Sequence, residues 1–296
     1  MLGYSSRTVK IRNINIGVVG GGYVGKATAL LECEGVDVSI YDVDPEKCSS
    51  GISRIEDLSS CHLIFVCVPT PMSKHGQCDT SIVESVIKEL KEKLADNCPP
   101  IIIRSTVPVG FCKDNGVNFM PEFLTEKHWE NDFLKNEDWI VGTFDSANLD
   151  FKERIRALFI LAYNEGKLKN NPMIHFVPSE VAEVCKYARN CFLATKVSFF
   201  NEVAEFCEAK NVDYDLVKEF VSLDTRIGDS HMSVPGHDGK KGFGGTCFPK
   251  DMASLSMQMI EVNVDPILIS AATNRNVNKD RPEKDWESDK GRAVSF

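Results

Sequence analysis

Two glycine-centred constellations have the residue types and the spacing for chemistry. Gly20, Gly22 and Gly25 spell GxGxxG between a short β-branched run, Asn13 to Gly20, and a helix-like stretch, Tyr23 to Glu34. In that setting the first glycine permits a tight turn and the second lets a pyrophosphate approach the backbone. The third lets helix and strand pack closely, with the helix N-terminus toward the phosphate. Asp42 closes the next strand-like run, Val36 to Asp42, about twenty residues on, where a carboxylate takes the ribose hydroxyls. Asp44 adds a second negative charge and no arginine stands there, so NAD is favoured over NADP, whose 2′-phosphate would be repelled. The second constellation is GFGGTCFPKD, Gly242 to Asp251. It sets Cys247 on a glycine loop at a helix start, a position that favours thiolate, with Asp251 one helical turn further on. The flanking glycines would let a substrate reach the backbone. On local sequence alone, a buried structural cysteine accounts for the loop equally well.

The elements that must position these residues fall into two kinds. Leu63 to Pro69 and Ile101 to Ser105 are almost continuous apolar runs, as expected of parallel strands covered on both faces. Thr80 to Leu94 and Asn148 to Tyr163 show apolar residues at helical spacing, and Trp139 to Thr143 and Met173 to Val177 are further strand candidates. This alternation predicts an α/β fold, a doubly wound Rossmann-type parallel sheet, over residues 1–178. From Ser179 the pattern is helical only. One long central helix through Cys207, a second over Asp213 to Leu223 and a last one after Pro249 predict a smaller all-helical domain over 179–278. The wide apolar surface of the long helix predicts a homodimer packed through it. Residues 279–296 are charged and aperiodic and predict a flexible tail.

Composition narrows the function classes. The chain has 296 residues, 43% apolar and 26% charged, in the range of an ordinary globular protein of two domains. A net charge of −9 argues against nucleic acid or an anionic membrane as partner, since both require a basic face. The eleven cysteines show no CxxC pair or recurring spacing, which predicts reduced thiols, no metal site and a cytoplasmic protein. Met1 to Arg12 lacks a signal-peptide core, and no apolar run is long enough to span a membrane.

Seven blocks then occur in one order: GVVGGGYVGKA (17–27), VPTP (68–71), STVPVG (105–110), PEFLTE (121–126), KYARNCFLATKVSFFNE (186–202), DTRIGDSH (224–231) and GFGGTCFPKD (242–251). With them the chain resembles the UDP-glucose/GDP-mannose dehydrogenase family over roughly residues 13–275. The resemblance implies NAD-dependent, four-electron oxidation of the C6 hydroxyl of a nucleotide sugar to a carboxylate, with UDP-glucose to UDP-glucuronate the first expectation. It implies cofactor contacts at Gly20, Gly22, Tyr23, Val24, Gly25 and Asp42, and at Pro69, Thr70, Ser105 and Thr106. Cys247 is implied as the nucleophile that forms a thiohemiacetal and then a thioester. Lys186 and Asn190, one helical turn apart, are implied as the oxyanion pair. Asp251 is implied to handle a proton or the water, Glu122 to activate the hydrolytic water and Thr106 to assist it. Substrate contacts are implied at Glu122, Phe123, Leu124, Lys186, Asn190 and Cys247, at Phe243, Gly244 and Gly245, and at Arg226 reaching across a dimer. Lys240 or Lys241 is placed near phosphate. Without its neighbours Lys186 would read as a snorkelling surface lysine and Arg226 as half of a surface ion pair.

The chain departs from the family pattern in two places. The expectation is a chain without the second Rossmann-like domain that usually follows in the family, and Trp139 stands where an arginine is expected. The same chemistry on UDP-N-acetylhexosamine or GDP-mannose, and an NAD-binding partner protein of weak activity, are the alternatives. A two-electron alcohol dehydrogenase with a similar helical domain would have no use for Cys247.

Overall fold

The computed structural model describes residues 13–125 and 127–296. The expectations for Met1 to Arg12 and for Glu126 of the PEFLTE block lie outside them. Contacts divide the chain into two units. The first comprises residues up to Val68, Val83–Ser105 and Gly110–Ala182; the second comprises Pro69–Ile82, Thr106–Val109 and Glu183–Phe296. The division is therefore interleaved rather than a single cut at residue 178.

Unit 1 is built on a seven-stranded sheet of β1 (Ile14–Val19), β2 (Val36–Tyr41), β3 (Leu63–Val66), β4 (Ile101–Ile103), β5 (Asn118–Phe119), β6 (Asp138–Thr143) and β7 (Met173–Pro178), in the order β2-β1-β3-β4-β5-β6-β7. β3 and β4 are buried at every position, which is why both read as unbroken apolar runs. The strand order turns back on itself at β1, with β2 on one side and β3 on the other. In open α/β sheets a ligand crevice forms at such a switch point, beyond the carboxyl ends of the strands. The expectation of a parallel sheet needs one correction. β5 pairs antiparallel with β6, while β6 and β7 are parallel to each other. β5 is only two residues long, too short to show a period in the sequence.

Helices α1 (Tyr23–Ala29), α2 (Ser81–Leu94), α3 (Phe111–Asp114), α4 (Trp129–Lys135) and α5 (Leu149–Asn164) accompany the strands. One apolar cluster joins β1, β3, β6, α4 and α5 through Ile16, Phe65, Phe133, Trp139, Ile155 and Phe159. Trp139 belongs wholly to this core: its ring lies 5.0 Å from that of Phe133 and 4.5 Å from that of Phe159. At the end of β6, Gly142 admits the next helix, for an added Cβ would stand 2.9 Å from Ser179 Cα and from Ala182 Cβ.

The long helix α6 (Ser179–Lys210) follows β7 without a loop. Unit 2 holds most of it, together with α7 (Tyr214–Ser222), α8 (Phe248–Glu261) and α9 (Ile267–Arg275). Its core is small: Cys191, Ala194, Phe243, Met252 and Ala272 are buried together, with Val197, Phe248, Leu255 and Ile269 packed against them. The expected flexible tail is a second correction. A π-helical turn runs from Asn276 to Asp280 and a 3₁₀ turn from Asp285 to Ser288, and Trp286, Ala293 and Val294 form a buried cluster with Met72 and Val277. Met72 N–H donates to Ala293 O and Ser295 N–H to Met72 O, so the last residues pair with a segment more than two hundred positions earlier. Such long-range partners leave no local periodicity in a charged stretch.

Candidate active site

In unit 1 the turn after β1 has the geometry of a phosphate cradle. Gly20 has φ of +103°, and a Cβ there would lie 2.7 Å from Cys67 O. A Cβ on Gly25 would stand 1.9 Å from Gly20 O, so only glycine lets α1 start this close to β1. Gly22, at the N-cap of α1, meets nothing within 4 Å and faces open space. Tyr23 and Val24 form the start of α1, directly after the glycine turn. Asp42 accepts a hydrogen bond from Gly21 N–H at 2.6 Å and another from Asp44 N–H at 2.8 Å. Its carboxylate thus braces the glycine turn and keeps lone pairs for a ribose diol. Tight backbone at Gly20 and Gly25, open space at Gly22 and a fixed carboxylate at Asp42 fit a dinucleotide. Ser105, also in this unit, donates its hydroxyl to Val68 O.

Glu122, Phe123 and Leu124 line one small cavity in unit 1 with Arg104, Phe133 and Trp139. Glu122 is buried, and one carboxylate oxygen accepts the Leu124 N–H at 2.8 Å. Arg104 is the residue that sequence reasoning missed. It is 1% exposed, donates to Thr28 Oγ1 at 3.2 Å and lies over the Phe133 ring. Burial pulls its guanidinium below the usual range, and the charges of Cys67 and Glu122 oppose that pull. A signal existed, for an arginine interrupts the apolar run IIIRS, where a charge needs a buried partner.

In unit 2 the structure assembles the other group. α6 carries Lys186 and Asn190, and both are buried, at 2% and 7% exposure, so the surface-lysine reading of Lys186 fails. Asn190 Nδ2 donates to Asp251 Oδ2 at 2.6 Å, and Lys250 Nζ stands 2.5 Å from Asp251 Oδ1. Asp251 is 1% exposed and both its oxygens are engaged. Lys250 also went unread in the sequence, although it adjoins Asp251. Burial opposes its charge, but Asp251 and then Cys247 more than offset this and hold the ammonium above the lysine range. Cys247 is the N-cap residue of α8, half-buried, one turn before Asp251 and within electrostatic reach of Lys250. Thr70, Pro71, Cys78, Tyr187, Lys250, Asp251 and Ser254 line one small pocket. Thr106 is buried in the same unit, where its carbonyl accepts from Cys78 Sγ. Pro69 is exposed. Arg226 is not gathered with the others: its side chain is 87% exposed and paired with Asp224 at 2.6 Å. Lys240 is engaged by Glu283 and Asp285.

Residues 48–160 match the NAD-binding domain of the UDP-glucose/GDP-mannose dehydrogenase family, and residues 180–278 match its central domain. YtcA of Bacillus subtilis is 31% identical, the match covering 89% of this chain and 67% of that protein. The chain belongs to the UDP-glucose/GDP-mannose dehydrogenase family. The UDP-glucose 6-dehydrogenase of Rickettsia bellii is 29% identical, with 91% of this chain and 68% of the relative covered. Among solved structures, a UDP-glucose dehydrogenase from the archaeon Pyrobaculum islandicum superposes with a TM-score of 0.73 at 25% identity, over 93% of this chain and 69% of that one. The chain spans about two thirds of the length of these relatives. Membership makes it one of the NAD-dependent dehydrogenases, and NAD is the dinucleotide for the cradle in unit 1. None of the described helices is long and apolar enough to cross a membrane.

Two predictions follow from the buried charges. Replacing Lys250 by Met strands the Asp251 carboxylate, and urea unfolding should show a loss of about 3–5 kcal/mol. The double variant Lys250→Met/Asp251→Asn should recover most of that loss, and wild-type stability of the single variant would show the pair not to be buried. Burial pushes the thiols of Cys61, Cys67 and Cys78 up to about 11. A thiol raised in this way is protonated at neutral pH, with about one molecule in a thousand as thiolate at pH 8. Alkylation by iodoacetamide, read by peptide mass spectrometry, should therefore rise about tenfold per pH unit between 8 and 10 at all three. Modification at pH 8 at the rate of a free cysteine would contradict this.

Proposed function

We propose that the chain oxidises the C6 hydroxyl of a nucleotide sugar to the carboxylate, with UDP-glucose as substrate and Cys247 as nucleophile. The observation that supports this best is the buried array Asn190–Asp251–Lys250, set one helical turn from a half-buried cysteine at a helix start. An alcohol oxidised only to the aldehyde has no use for a thiol, whereas oxidation to the acid level benefits from a covalent intermediate. The sum is one primary alcohol, one water and two NAD⁺ giving one carboxylate, two NADH and three protons. NAD, when bound, accepts one hydride from C6 in each oxidation. Cys247 sulfur bonds to the aldehyde carbon between the two oxidations, giving a thiohemiacetal whose oxyanion is met by Lys186 and the Asn190 amide. Removal of the second hydride leaves a thioester at Cys247. Water then adds to its carbonyl carbon, its proton passing to Glu122 or Asp251, and the carbon–sulfur bond breaks to release the acid.

The array also fixes where Asp251 can act. Its carboxylate is clamped between an ammonium and an amide, one helical turn from Cys247, and is held there as an acceptor. Mixing the purified chain with NAD and UDP-glucose should give two NADH per sugar consumed, with the yield lost in Cys247→Ala. One NADH per sugar with release of an aldehyde would identify a simple alcohol dehydrogenase. No NADH from UDP-glucose, UDP-N-acetylhexosamine or GDP-mannose, with folded protein, would leave an NAD-binding partner protein.

The dimer belongs to the same reading. Phe192, Phe199 and Phe206 recur every seven residues along α6 and are 67%, 58% and 62% exposed. A stripe of phenylalanines at that period fits the equivalent stripe of a second copy. Sedimentation should give twice the chain mass for the wild type and the single mass for Phe199→Asp. A wild-type monomer would sink the proposal.

A further inference from the structure

The glycine loop ahead of Cys247 is held from one side by the segment that follows α9. Asn276 is fully buried, and its amide grips the backbone of Phe243 twice: Oδ1 accepts the Phe243 N–H at 2.8 Å and Nδ2 donates to the Phe243 carbonyl at 2.8 Å. Arg281 is tied to the same turn, donating its own N–H to Asn276 O at 2.8 Å. Its guanidinium binds Asp285 in a fork, with Nε and Nη2 at 2.8 and 2.7 Å, and Nη2 also reaches Asp238 at 2.5 Å. Arg281 is 4% exposed, so this is a buried, bidentate and well-anchored cation. From the other side, Asn201 on α6 accepts the Gly242 N–H.

The glycines carry the sharpest sign of this contact. A Cβ on Gly242 would stand 2.2 Å from Asn276 Oδ1, and one on Gly244 would stand 2.5 Å from Arg281 Cζ. Gly242 has φ of +70°, but Gly244 has no positive φ, so its backbone would accept an L-residue. The three heavy atoms nearest to that position all belong to the Arg281 side chain. A free arginine could swing aside, but this one is pinned by two carboxylates. Phe243, fixed between the two glycines, is buried against Phe248, the residue next to Cys247.

We infer that Asn276 and Arg281 are positioning residues for Cys247: they fix the backbone of the loop leading to it, and Gly242 and Gly244 are glycine to admit them. The space at both glycines is thus taken up by the protein's own side chains. This deepens the reading of Cys247 as nucleophile, and its activity arm rests on that reading. The structural arm does not.

The test is a suppression cycle on the full chain. Gly244→Ala should lower the melting temperature and change the rate at which iodoacetamide alkylates Cys247. In an Arg281→Ala background, where the obstruction is gone, the same Gly244→Ala change should add nothing to either readout. Arg281→Ala alone should reduce kcat about tenfold, the size expected when a nucleophile is displaced by a fraction of an ångström, with KM for NAD unchanged. Arg281→Lys should restore only part, since a lysine cannot make the fork. Equal effects of Gly244→Ala in both backgrounds would overturn the inference, as the glycine would then be required by something other than Arg281. A wild-type alkylation rate in Arg281→Ala would overturn it too. If Arg281→Ala does not fold, Arg281→Met, which keeps the aliphatic stem without the guanidinium head, takes its place in the same cycle. Should no sugar be oxidised at all, melting temperature and alkylation still decide the matter, so failure of the enzymatic reading and failure of this one remain distinct.

Discussion

The helical unit depends on one buried ionic contact. Lys250 and Asp251 are neighbours in sequence, yet both are folded inward at the start of α8, where the carboxylate also takes the Asn190 amide from α6. Moving either charge alone into such surroundings costs several kcal/mol, and only close pairing with saturated hydrogen bonding offsets that cost. The pair therefore dictates where α8 can sit against α6. Tyr187 bonded to Ser254 and Cys191 packed beside Met252 then follow as ordinary consequences of that register. A packed apolar pair would hold two helices as well. A fixed charge beside a cysteine is what an apolar pair could not supply.

Unit 1 solves a different problem with different means. Its strands are apolar on both faces and its ligand features lie at the strand ends, where the backbone itself makes the site. Gly20 and Gly25 are set against main-chain atoms, so no neighbouring side chain could yield to an added methyl. Arg104 is the exception in this apolar layer. Its buried cation is held by Thr28 and by the field of Glu122, which ties the end of β4 to the segment after β5.

Legibility in the sequence followed the range of the interactions. The dinucleotide turn, six of the seven strands and the long helix are local patterns, and their periods could be read directly. The pair Lys186 and Asn190 was legible as one face of one helix, although its burial was not. β5 and α3 are too short to show a period, and α4 buries little beyond Phe133 and half of Trp129. Lys250 was hidden because a lysine beside an aspartate ordinarily means two solvated charges. The last residues were misread for a similar reason. Their apolar members, Trp286, Ala293 and Val294, are scattered among charges and find partners such as Met72 far away in sequence.

Glycines show most clearly why residue type alone underdetermines a site. All of those in the two motifs look alike in sequence, and each invites the same explanation, close approach of a ligand. The structure separates them by what a methyl group would strike. At Gly20 and Gly25 it would strike backbone, at Gly242 and Gly244 the side chains of Asn276 and Arg281, and at Gly22 and Gly245 nothing at all. Open space is what a ligand requires, so Gly22 is the glycine in the first motif whose missing side chain leaves room for a phosphate. In the second motif only Gly245 has that property, and its φ of +72° gives it a conformational reason as well. The loop before Cys247 is thus shaped at Gly242 and Gly244 by the protein's own side chains, and at Gly245 by its backbone conformation.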